Sequence, residues 1–82
     1  MKLTLILAGP NSPSVNTQQV WSKECMKHHI ELEVVYLENR NGRYLAKQLN
    51  LKSFPALVNK TKVIAVGHPE IHEAKDIIAG LT

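Results

Sequence analysis

The residues of this chain able to do chemistry are few, and their spacing limits what that chemistry could be. Cys25 is the single cysteine, which excludes an internal disulfide and any all-cysteine metal site within one chain. It falls about three turns into a predicted helix, on the stripe that faces inward, and so reads as a small buried hydrophobe rather than a nucleophile. Asn11, Ser12 and Ser14 stand at the predicted start of that helix, where a hydroxyl and free backbone amides can cap the helix or hold an anion. His68 and His72 are four apart and could share a helix face, but His68 falls before its helix and no third ligand is fixed by spacing. No metal is therefore expected, and no motif calls for a cofactor.

The remaining chemistry is charge. No acidic residue occurs between Glu38 and Glu70, and that interval carries Arg40, Arg43, Lys47, Lys52, Lys60 and Lys62. Arg40, Arg43 and Lys47 fall on one face of a predicted helix, with Lys52 near the same end, which makes them a candidate patch for an anionic partner such as an acidic protein or peptide. Nucleic-acid binding would rest on this interval alone and is not expected. Trp21 and Tyr44 read as packing residues rather than stacking platforms.

These residues must be positioned by a small scaffold. With 82 residues the chain reads as one domain, 1–82, with a single core and a modest margin of stability. An apolar fraction of 44% and a charged fraction of 21% belong to a soluble globular protein without low-complexity tracts or repeats. The first apolar run, Leu3 to Ala8, is too short to span a bilayer and lacks the length and cleavage site of a signal peptide. No membrane association is expected, and a cytoplasmic location is the default.

The element order follows from periodicity. Lys2 to Ala8 is almost continuously apolar, as in a central strand covered on both faces. Gly9 to Pro13 breaks it, and a helix then runs to about His29 with Thr17, Val20, Trp21 and Cys25 on or beside its inward stripe. His28 and His29 suit the negative end of that helix. Glu31 to Leu37 forms a second strand, and Asn39 or Asn41 starts a second helix that ends near Leu49, weakened in its first turn by Gly42. Pro55 to Val58 and Lys62 to Val66 form a hairpin around Asn59, Lys60 and Thr61. Gly67 ends it, and His68 and Pro69 begin a terminal helix with Ile71, Ala74, Ile78 and Leu81 on its apolar face. The result is an α/β fold, βαβαββα, with a four-stranded mixed sheet in which only the hairpin is expected to be antiparallel.

The segment Ser53-Phe54-Pro55-Ala56-Leu57-Val58, followed by Val66-Gly67, in this element order resembles the thioredoxin and glutaredoxin superfamily over nearly the whole chain. The resemblance implies a thioredoxin-like fold with a cis-proline at Pro55. It also implies a Cys-x-x-Cys at the start of the first helix, and here the chain departs from the pattern. The matching loop is Pro10-Asn11-Ser12-Pro13-Ser14-Val15, so the two cysteines are replaced by Asn11 and Ser14 in one register, or by Ser12 and Val15 in the other. Neither register leaves a thiol, and dithiol exchange from this loop is excluded chemically. Some glutathione transferases use a serine here, but they carry a helical second domain. The loop from Ala8-Gly9 to Ser14-Val15 also resembles that of the KaiB clock-protein family, whose members act by binding protein partners. The reading that follows is a redox-inactive, thioredoxin-like domain binding a protein or peptide through Asn11, Ser12, Ser14, Ser53, Phe54 and Pro55. The alternative is a glutaredoxin-type thiol-disulfide oxidoreductase or glutathione-binding protein.

Overall fold

The computed structural model describes residues 1–9 and 12–81. In chain order the elements are β1 (Lys2–Leu7), α1 (Ser12–Lys27), β2 (Glu31–Tyr36), α2 (Arg40–Gln48), β3 (Ala56–Asn59), β4 (Lys62–Val66) and α3 (Ile71–Leu81). They form an α/β fold with one four-stranded mixed sheet, ordered β2-β1-β3-β4. No helix among the described residues is long and apolar enough to cross a membrane.

Side chains alternate across a strand, so β1 supplies both layers of packing. Leu3, Leu5 and Leu7 turn to one face, where they are buried with Leu57 of β3 against Trp21 and Cys25 of α1 and Ala74 and Ile78 of α3. Ile6, Ala56 and Val58 fall at the alternate positions, are equally buried, and face the side where α2 lies. Leu32, Val34 and Tyr36 of β2 pack on the first layer at the sheet's edge.

The helix ends have local causes. After α1, His29 adopts a left-handed φ of 57°. The Ile30 amide then donates to the Cys25 carbonyl at 2.8 Å and the His29 amide to that of Met26 at 3.2 Å, satisfying carbonyls the helix leaves open. α2 ends the same way. Asn50 has φ 55°, the Leu51 amide reaches Ala46 at 2.8 Å, and the Asn50 amide reaches Lys47 at 3.2 Å. Asparagine tolerates this conformation better than most residues; at His29 the neighbouring packing of Ile30 accompanies the less usual choice.

Three expectations from the sequence are corrected. The hairpin is not the only antiparallel pair: β1 runs parallel to β2 but antiparallel to β3, with Ile6 opposite Ala56 and Thr4 opposite Val58. Leu7 pairs with Tyr36, so β2 leaves the sheet at the end where β3 enters it. A nine-residue α2 spans only about 13 Å and never carries the chain back to the opposite end. Tyr44 is not a packing residue, being 65% exposed on the outer side of α2. Ile71 is likewise exposed, because α3 begins at Ile71 itself rather than at His68, and Ile77 takes a place against the core instead.

Gly42 has a structural role that helix propensity does not suggest. A Cβ there would stand 2.1 Å from the Tyr36 carbonyl oxygen and 2.7 Å from its carbon. Only glycine lets the first turn of α2 lie this close to the end of β2.

Candidate binding site

The one cis peptide of the described residues joins Phe54 to Pro55, just before β3. Pro55 has no amide hydrogen to give, but its carbonyl accepts a hydrogen bond from the Gly67 amide at 2.7 Å. Gly67 follows β4 with φ 96°, a conformation that favours glycine. The next residue, His68, hydrogen-bonds through Nδ1 to the hydroxyl of Thr17, a buried residue in the second turn of α1. Pro55, Gly67, His68 and Thr17 therefore link the start of β3 to the beginning of α1 through two hydrogen bonds. A cleft of about 240 Å³ lies beside this link, lined by Pro13, Asn16, Thr17, Val20, His68 and Pro69.

The residues expected at the site are placed differently from one another. Ser53 is exposed, Phe54 is half-buried and Pro55 is buried. Ser14 is only 3% exposed, so its side chain presents almost no surface. Ser12 is the first residue of α1. Asn11 lies outside the described residues. Thr17 and His68 were not expected as part of this arrangement. The sequence signal for His68 is its position just after Val66-Gly67, whereas its four-residue spacing to His72 suggests a shared helix face. His72 lies on α3 with Nε2 3.8 Å from Asp76 Oδ2, whereas His68 Nδ1 meets the Thr17 hydroxyl. Among the described residues no three His, Cys, Asp or Glu side chains gather as metal ligands.

Thiol chemistry has little support from the geometry. Cys25 is 1% exposed within the core, and burial, reinforced by the neighbouring Glu24 carboxylate, pushes its pKa up. A raised pKa leaves less thiolate, the form that attacks. Glu24 is itself 2% exposed. Its Oε2 accepts from Lys27 Nζ at 3.2 Å, while Oε1 has no partner among the described residues.

The basic residues lie on the other face of the sheet from α1 and α3. Arg40, Arg43 and Lys47 are exposed along α2, Lys52 is exposed beyond its end, and none of the four is ion-paired among the described residues. No family model, curated protein or solved structure matches this chain.

Proposed function

We propose that this chain is a thioredoxin-like domain that binds an extended protein or peptide segment and does not catalyse thiol-disulfide exchange. The observation that carries the reading is the hydrogen-bonded link from Pro55 through Gly67 and His68 to the start of α1. Exposed Ser53 and half-buried Phe54 then present backbone groups ahead of the proline, and a partner strand could pair with them. Main-chain pairing supplies affinity without any reactive group, consistent with an α1 start that carries serines and no cysteine. Arg40, Arg43, Lys47 and Lys52 favour an acidic partner by steering its approach.

The test begins with peptides selected from a random display library on the immobilised protein. Their binding should shift amides at 11, 12 and 14 and at Lys52, Ser53 and Phe54, and salt should weaken it by slowing association. Shifts confined to Ile71–Ile78 with no effect of salt would refute the site. The glutaredoxin-type alternative is tested by reduction of insulin or a mixed disulfide, where turnover above a blank that Cys25→Ala abolishes would overturn the binding-module reading.

A further inference from the structure

The outer side of α2 carries two features side by side. At about 100° per residue, Arg40, Arg43, Tyr44 and Lys47 fall within roughly 100° of arc, so three cations and an exposed ring form one stripe. α2 contains no acidic residue to offset them. On the flank of this stripe, between α2 and the edge strand β2, lies a cleft of about 240 Å³ lined by Glu33, Val35, Asn41, Tyr44 and Leu45. Val35 and Leu45 are half-buried and supply its apolar surface, Tyr44 belongs to both cleft and stripe, and Glu33 adds a carboxylate held 3.8 Å from Lys2.

We infer that this surface directly docks an acidic protein segment bearing one apolar anchor, the anchor entering the Tyr44–Leu45–Val35 cleft and its acidic neighbours meeting Arg40, Arg43 and Lys47. The inference rests on the reading of the chain as a protein-binding domain, but it assigns these cations a contact role rather than steering alone. Two observations select the partner's chemistry. An uncompensated row of cations favours a negatively charged partner, and surface ion pairs at such a row are individually weak, so a second source of affinity is needed. The cleft supplies it at the scale of a single aliphatic side chain, and its tyrosine wall is of the type that dominates protein interfaces. A nucleic-acid strand fits less well. The cleft beside the stripe takes an aliphatic side chain that a nucleic acid lacks, and α2 spans only about 13 Å of basic surface.

The experiment uses the whole chain, isotope-labelled, and three probes: a decapeptide of glutamate and aspartate with one central leucine, its twin with serine for leucine, and a ten-nucleotide oligothymidylate. The leucine peptide should shift amides at 33–36 and 40–48. The serine twin should bind about 5-fold more weakly, the value expected for losing a partly buried aliphatic group. Tyr44→Ala should weaken the leucine peptide by roughly 5-fold with little change for the twin, and Arg43→Glu with Lys47→Glu should weaken both by about 10-fold. All of these positions are exposed, and circular dichroism of each variant shows whether the fold is kept. Equal binding of the two peptides, or no shift at 33–36 and 40–48, would overturn the inference. So would tighter binding of the oligothymidylate dependent on Tyr44, which would make the surface a nucleic-acid site. Shifts confined to 11–17 and 52–54 would overturn docking on α2 while leaving the proposed binding of a segment ahead of Pro55 standing.

Discussion

Replacing Gly42 by alanine should destabilise the protein although alanine is the better helix former. In an unobstructed helix the exchange gains about 1 kcal/mol. Here the new methyl would lie 2.1 Å from the Tyr36 oxygen and 3.2 Å from the Leu37 nitrogen, where separations under 3.0 Å are essentially never found. The obstructing atoms are backbone and cannot be relieved by a rotamer change, so α2 must retreat from β2 by about 1 Å. Overpacking costs about 1–3 kcal/mol where side chains can adjust, and a backbone obstruction belongs at the upper end. Subtracting the propensity gain leaves a net loss of about 2 kcal/mol, or a fall in Tm of roughly 8–16 °C for a domain of this size. Urea unfolding should show a lower midpoint at unchanged slope. Gly80→Ala is the internal control: that glycine lies in α3 with nothing within 4 Å of the added methyl, and the exchange should be neutral or stabilising by up to about 1 kcal/mol. If Gly42→Ala is as stable as the parent, the close approach of α2 to Tyr36 is not real.

Three further outcomes concern the buried titratable groups of α1, Cys25 and Glu24. Because burial and Glu24 raise the pKa of Cys25, the folded state keeps the thiol proton to higher pH than the unfolded state does. Stability from this group is thus full below the unfolded thiol's value of about 8.5 and falls as pH rises above it toward the folded value. Cys25→Val should flatten that alkaline decline, measured as unfolding free energy against pH, and identical slopes in the two proteins would contradict the assignment. Lys27→Met should cost about 1 kcal/mol by leaving the Glu24 carboxylate buried and unpaired, the value being discounted for the half-exposed lysine. Glu24→Leu should be neutral or stabilising by denaturant unfolding, and a larger loss for Glu24→Leu than for Lys27→Met would show that the carboxylate is needed for its own sake.

The features legible in the sequence are those set by short-range pattern. Leu3, Leu5 and Leu7 alternate as a strand must, Trp21 and Cys25 sit at helical spacing on the buried stripe, and Asn59 to Thr61 mark the hairpin, whose Lys60 has φ 58°. The features that escaped depend on where elements meet. The antiparallel β1–β3 pair follows from which end of the sheet the 37–55 segment returns to, and nothing in β3's own residues encodes that. Gly42 reads as a weak helix position until Tyr36 is brought against it. The bond between Thr17 and His68 joins residues 51 positions apart, and each has an ordinary local explanation, as a helix residue and as a loop residue before a proline. Tyr44 and Ile71 have apolar side chains of the kind that usually pack, and only the length and start of their helices decide that they do not.

The geometry of α2 connects its stability to its outer surface. Its buried contacts are made by Gly42 and Ala46, both small, so the helix lies low on the sheet instead of standing off on large side chains. A helix placed so low brings Leu45 and Tyr44 down beside Val35 at the β2 edge, and the cleft there is the space that this approach leaves. Among the described residues no second helix packs on this face, since α1 and α3 both lie across the sheet with Leu3, Leu5 and Leu7. The outer side of α2 is therefore free of any packing demand that would select apolar residues, and it carries arginine, tyrosine and lysine instead. A solvated helix face would ordinarily mix charges of both signs, which stabilise one another at a spacing of three or four. On α2 the charges are all positive and repel at those spacings, which costs the isolated helix a few tenths of a kcal/mol per pair. Negative charge from a docked acidic segment would offset that small cost, which is the physical link between this face and the docking proposed above.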